Sequence, residues 1–421
     1  MKHIKPFLYR WRRRLLLFVA ILGPGIITAI ADNDAGGVAT YTVAASQFGV
    51  ASQFLIIPTT LLLGLSQEIG ARIAVVTRKG LGDLIREQYG IRVTMLIFLL
   101  YFVINQGVVL QNISGLKASY ILLQLGAPWQ LLLIATCAIL VLFVVKFSYA
   151  RIQRIFLLLI VFYVCYVIVA IIVKPDWKAL VSETLYPRRI NMNLTYWFSI
   201  IAVLGTTITA WGQFFVSSFI NDKKLSIDDL KYERLEIWAG AILTNTLSFM
   251  IAVAVAQTLF ARGIRVEGAA DAARSLEPLA GQMASILFAS GLFGASLLGL
   301  MVVPLATAYV FAEFFGYEGS LDADYKKGRL FYIFFAVQII LGLVATLAPQ
   351  VNLFALTLYV DFLNGAMLPV IFFFLIRFSE DPNIMGTYVL SGFTSWFLRA
   401  AAVLITIAVL VSMYGQVIGV I

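Results

Sequence analysis

Between residues 23 and 40 the chain reads GPGIITAIADNDAGGVAT, and no other feature constrains the fold as much. Apolar sequence leads into this stretch from Leu15 and resumes beyond it, from Tyr41 to Ala45. Asp32, Asp34 and the glycine pair Gly36–Gly37 therefore fall in the middle of what is otherwise a membrane-spanning helix. Hydrocarbon admits neither charged groups nor unpaired backbone unless they line a cavity or a polar path. A span broken this way is the best pointer in a sequence to a transporter's binding site. With two acids at the break, the expected guest is a cation.

The rest of the chain has the character of a polytopic α-helical membrane protein. It is 61% hydrophobic and only 13% charged, against about a quarter charged in soluble domains, and apolar runs of about 18 or more residues recur along it. Eleven spans are predicted, at about 15–46, 51–77, 93–123, 130–147, 154–173, 195–220, 235–260, 281–315, 330–347, 353–377 and 393–419. With the amino terminus inside, the inner segments carry 21 Lys and Arg and the outer loops seven. That asymmetry places the amino terminus in the cytoplasm and the carboxy terminus outside. The net charge of +9 is then a topology signal, with no nucleic-acid partner. The compact loops suggest a prokaryotic inner (plasma) membrane. One membrane domain spans 1–421: a basic tail at 1–14, a first repeat over 15–220 that runs into span 6, a second over 195–377, and an extra helix at 393–419. The two longest outer loops, 174–194 and 261–280, read as ordered caps over a vestibule.

Three segments carry the chemistry. In the first, Gly36 and Gly37 loosen the helix, the carbonyl of Ala31 is freed, and Asp34 offers a hard anionic oxygen suited to magnesium or manganese. The competing reading is a structural ion pair with Arg72, Lys117 or Arg399, the bases inside spans. In the second, Leu204 to Gln213, three threonines and two glycines suit either a second break or tight helix packing. Spans 1 and 6 lie five apart, an odd spacing that inverts one repeat relative to the other, so two broken helices would face each other. The third is Asp361 with Asn364, one helical face of span 10. Glu68, Asn245 and Glu313 are weaker candidates, and Glu313 is expected at the interface. Cys137 and Cys165 are buried thiols without metal-ligand spacing. The single histidine, His3, lies in the tail. No catalytic triad, phosphate loop or haem motif is present in the sequence, so an enzyme is not expected and no cofactor is called for.

The stretch at 23–40 resembles the first span of the Nramp family of divalent-metal transporters, which reads GPG followed by A-x-x-DPGN-x-AT. The likeness continues through QFG at 47–49 and Ala71-Arg72, and span 6 reads GTTITAWG at 205–212 where the family has GATxMPHN. The resemblance implies an all-α LeuT-like (APC superfamily) fold of eleven helices, a five-plus-five inverted repeat plus one, with helices 1 and 6 broken at the midplane. It also implies that Asp34 is the metal-binding aspartate, that Ala31 and Thr206 lend backbone carbonyls, and that Asp361 stands where a tenth-span glutamine joins the site. Four departures stand out. Gly37 replaces the metal-binding asparagine, and Thr209 replaces a methionine whose soft sulfur favours transition metals. Trp211 and Val216 replace two histidines. In span 3, where the family keeps acids linked to proton movement, this chain has Val109, Leu110 and Asn112.

A larger, all-oxygen cavity suits an ion that keeps some of its water, as magnesium prefers. This pattern looks like the Nramp-related magnesium transporters. The expectation is a monomeric secondary transporter of Mg²⁺ and Mn²⁺, working by alternating access on a partly hydrated ion, uncoupled from protons, with the divalent ion and the bilayer as its partners. The alternatives are a proton-coupled Mn²⁺/Fe²⁺ importer, an organic-solute transporter on the same fold, and a membrane enzyme or assembly subunit.

Overall fold

The computed structural model describes residues 23–187, 193–266, 269–322, 326–348, 352–390 and 392–417. Among these, ten helical stretches are long and apolar enough to cross a membrane. The first span, split into Pro24–Ala31 (half-helix 1a) and Ala35–Phe48 (1b), makes the eleventh. Its expected beginning at residue 15 lies outside the described residues. Spans 2 to 5 are Ile56–Thr77, Leu81–Leu123, Trp129–Lys146 and Tyr149–Ile172. Span 6 is Leu194–Thr207 (6a) and Ala210–Lys223 (6b), and spans 7 to 11 are Leu230–Thr258, Ala269–Phe315, Arg329–Leu347, Leu353–Ser379 and Phe393–Val417.

Local chemistry explains the irregularities. Span 3 starts earlier than expected because a helical segment precedes it. Gly90, at φ 74°, separates the two in a conformation that glycine takes without penalty. The 174–194 loop contains a helix, Trp177–Leu185, capped by the Asp176 carboxylate on the Ala179 N–H. Span 8 extends through part of the second outer loop. Cys137 and Cys165 are both free thiols.

Burial sorts the spans into a centre and a rim. Spans 4 and 11 present Leu131, Ile139, Leu142, Leu404 and Leu410 outward, the apolar face a bilayer requires. Every residue of 6a from Phe198 onward is buried, as is 6b as far as Ile220, and 1b is almost as enclosed. Spans 6 and 10 cross backbone to backbone: a Cβ on Gly205 would fall 2.0 Å from the Asp361 carbonyl oxygen and 2.4 Å from the Gly365 nitrogen. This small-residue crossing brings Asp361 beside the break in span 6.

Candidate metal-ion site

Both central spans break where a side chain starts a new half-helix. Asp34 leaves the helix (φ −63°, ψ −170°) and its carboxylate accepts the Gly37 N–H at 3.1 Å, capping 1b. Thr209 (φ −77°, ψ 149°) accepts the Gly212 N–H at 3.0 Å, capping 6b. The positive dipole ends of 1b and 6b are thus satisfied internally. The ends of 1a and 6a meet the same region with their carbonyls and negative dipole ends, which favour a cation. A direct bond joins the breaks: the Thr209 hydroxyl donates to Asp32 Oδ1 at 2.6 Å.

Around this junction the polar groups of four spans interlock. Asn112 of span 3 donates from Nδ2 to Asp34 Oδ2 at 2.6 Å and accepts the Ala35 N–H at 3.1 Å. A carboxylate has about four lone-pair sites, so Gly37 and Asn112 leave Asp34 capacity for a cation. Asp361 accepts the Thr40 hydroxyl at 2.5 Å and the Gln111 amide at 3.4 Å. Thr357 donates to the Gly36 carbonyl at 3.0 Å. Gly37 lies where a Cβ would be 2.7 Å from the Asp32 carbonyl oxygen and 3.2 Å from Thr206 Oγ1. Asp32, Asp34 and Asp361 are 0%, 3% and 2% exposed.

All six residues expected at the ion therefore lie in this junction, with some already engaged. Ala31 offers its carbonyl, which accepts the Asp34 N–H at 3.1 Å. The Thr209 hydroxyl is committed to the cap and to Asp32. Among the described residues no three Asp, Glu, His or Cys side chains are grouped to hold a metal. An ion here would be held by a mixture of carboxylate, hydroxyl, carbonyl and water oxygens.

The bases within spans are placed elsewhere. Arg72 pairs with Glu68 at 3.0 Å, Arg399 pairs with Glu380, and the Lys117 ammonium lies 4.7 Å from the centre of the Trp129 ring. Glu68 also binds Arg234 and the Trp238 indole, so it ties span 2 to span 7. Asn364 points to 6b, accepting the Ala210 N–H at 3.4 Å, and Asn245 donates to its own helix. Glu313, expected at the interface, is half-buried, accepting the Gly82 N–H and the Ser218 hydroxyl. It lines a cavity of about 490 Å³ with Asp83, Asp222, Tyr309 and Glu318. Thr40, Gln111 and Thr357 were not foreseen. They are neutral polar residues within largely apolar runs, and their bonding partners lie far away in the chain.

Two broken helices packed centrally, with buried acids at the breaks, define the class of LeuT-fold transporters. A manganese transporter from Eremococcus coleocola superposes with a TM-score of 0.72 over 95% of this chain and 87% of its own, at 15% identity. The amino-acid-bound transporter MhsT superposes with a TM-score of 0.58 over 93% and 97%, at 16% identity. The chain belongs to the Nramp (natural resistance-associated macrophage protein-like) family, whose model matches residues 25–415. Two relatives are each named divalent metal cation transporter MntH. The one from Bradyrhizobium diazoefficiens is 23% identical over 95% of this chain and 90% of its own length. That from Ralstonia nicotianae is 25% identical over 94% and 91%. These relatives are transporters, not enzymes.

Proposed function

We propose that this integral membrane protein is a divalent metal cation transporter that moves Mg²⁺ and Mn²⁺ by alternating access. It holds a partly hydrated ion at Asp34 and Asp361, and it runs as a monomer without proton counterflow. One observation carries the reading. Two buried carboxylates, contributed by spans 1 and 10, meet at a double helix break with no base paired to them among the described residues. Buried carboxylates are costly unless paired or bound to a metal, and a divalent cargo meets that demand.

Two features support a hydrated ion. The side-chain atoms at the junction able to ligate a cation are oxygens of Asp, Thr and Gln, with no sulfur among them. Two buried acceptors there, Asp32 Oδ2 and Gln111 Oε1, have no hydrogen-bond partner. Water on a cation is a strong donor, and it fits acceptors left open in this way. In span 3 Asn112, an amide, occupies the position beside Asp34 and bonds to it, which supports transport without a proton relay there. With the amino terminus inside, the membrane potential favours influx of a divalent ion by about 4.6 kcal/mol per 100 mV, twice the single-charge value. The acidic cavity at Asp222 and Glu313 then faces the cytoplasm as a release vestibule.

Flux in proteoliposomes tests the reading. Uptake of Mg²⁺ and Mn²⁺ is expected without acidification of the lumen and without dependence on an imposed pH gradient. Asp34→Ala is expected to abolish uptake while the protein stays folded and monodisperse, with a modest loss of thermal stability from the missing cap. Wild-type flux in that variant rejects the site, and lumenal acidification during uptake favours the proton-coupled alternative.

A further inference from the structure

Half-helix 1a is eight residues long and begins at Gly23-Pro24-Gly25, so it has no side chain able to cap its own amino end. The cap comes from span 7. Glu236 Oε1 accepts the Gly23 N–H at 2.6 Å and the Ile26 N–H at 3.0 Å, across more than two hundred residues of sequence. Glu236 is 1% exposed. The two helices also pack closely at two glycines. A Cβ on Gly25 would sit 2.6 Å from Ile237 Cγ1, and one on Gly240 would sit 3.0 Å from Ala29 Cβ and 3.1 Å from Ile26 Cα. Span 7 meets the far end of the junction too, where Asn33 Nδ2 donates to the Thr244 carbonyl at 2.9 Å. Half-helix 1a is therefore fixed to span 7 at its amino end, along its face and just past its carboxy end.

We propose that Glu236 is a positioning residue for the ion site: by capping half-helix 1a from span 7, it sets where Ala31 and Asp32 at the other end lie against half-helix 6b. A carboxylate on the positive end of a helix dipole is the strong form of such a cap. Half-helix 1a also packs on 6b along a seam in which Thr28 Cγ2 lies 3.5 Å from the Cβ position of Gly212. Without the cap, 1a loses its anchor at the amino end, which loosens that seam and shifts the carbonyl end at the ion.

The functional consequence rests on the metal-transport reading, but the structural claim is testable without an ion. In a background with Cys137→Ser and Cys165→Ser, Thr28→Cys places one thiol in the seam. Labelling by a membrane-permeant maleimide in metal-free buffer is expected to be slow with Glu236 present. It should be about tenfold faster in Glu236→Ala, as loss of a cap allows. Glu236→Gln, which keeps an acceptor oxygen, should label close to the slow rate. Gly25→Ala supplies a second route: it drives the helices apart with Glu236 intact and should also speed labelling, which decides the matter where Glu236→Ala fails to fold. In flux assays Glu236→Ala should raise the apparent KM for Mn²⁺ more than it lowers the maximal rate, with Glu236→Gln restoring it. Labelling rates indifferent to both Glu236→Ala and Gly25→Ala overturn the proposal, as does Glu236→Gln labelling as fast as Glu236→Ala. Absence of flux from the unsubstituted protein, with the labelling pattern as expected, would reject the transport reading and leave the cap intact.

Discussion

Adding one methyl group at Gly37 tests whether the two breaks close on each other as described. The Cβ of Gly37→Ala would sit 2.7 Å from the Asp32 carbonyl oxygen, about 0.7 Å inside ordinary contact at 3.4 Å, and 3.2 Å from Thr206 Oγ1. The nearer atom is backbone of the same turn and cannot swing aside, so that turn must open, while the contact with Thr206 presses span 1 away from span 6. Overpacking of this kind costs about 1–3 kcal/mol. If that strain must be met each time the two breaks draw together around an ion, the apparent affinity falls roughly 5- to 150-fold. The assay is initial-rate uptake of Mg²⁺ and Mn²⁺ into proteoliposomes across a concentration series, with the melting temperature measured on the same preparations. The expected result is a raised KM with a modest loss of thermal stability. Gly37→Ala transporting with unaltered KM would refute the packing argument and the idea that the two breaks draw together around the ion.

Thr209→Met removes the hydroxyl that caps 6b and bonds Asp32, at a cost of about 0.5–2 kcal/mol for the cap, while supplying a soft sulfur. Competition uptake should shift preference from Mg²⁺ towards Mn²⁺ and Cd²⁺, and an unchanged selectivity would mean that position 209 does not reach the ion. Asn112→Ala strips Asp34 of its shortest donor, and hydrogen bonds to charged groups contribute about 1.5–3 kcal/mol. Uptake at subsaturating metal should fall about tenfold or more, and a variant with normal KM would show that Asn112 does not orient Asp34.

The first break was legible because a bilayer tolerates acids and paired glycines inside an apolar run only where they face a cavity or a polar path. The second was ambiguous for a physical reason that the structure resolves: small polar residues serve both packing and unwinding, and here different residues do each. Gly205 permits the crossing with span 10, whereas Thr209 ends one half-helix and starts the next. Asp361 was found as a lone acid within a span. Its supporting shell was not: Thr40 and Gln111 lie more than two hundred residues from it and leave no local pattern, and Thr357, one turn before it on the same helix, shows its role only through its bonds to Gln111 and Gly36. Asn364 shares a helix with Asp361, as the three-residue spacing implied, but its amide turns to the backbone of 6b. Glu68 met its partners four residues away and on span 7, which sequence spacing alone half revealed.

The way the breaks are closed bears on what kind of ion they release easily. Asp34, Thr209 and Asp361 each already hold two bonds, to Gly37 and Asn112, to Gly212 and Asp32, and to Thr40 and Gln111. The junction is thus largely self-satisfied in its described form. A bare ion demanding six close oxygens would have to break several of these bonds at once, losing two helix caps in the process. An ion that retains water asks for less. Its water ligands can donate to Asp32 Oδ2 and Gln111 Oε1, the two acceptors left open, while the caps stay in place. The exchange is nearer to balance in both directions, and a carrier needs that balance: a site that binds too tightly delivers nothing. On the proposed reading, hydration of the cargo and retention of the two caps are one requirement, and a variant that forces dehydration should gain affinity for Mn²⁺ while losing turnover.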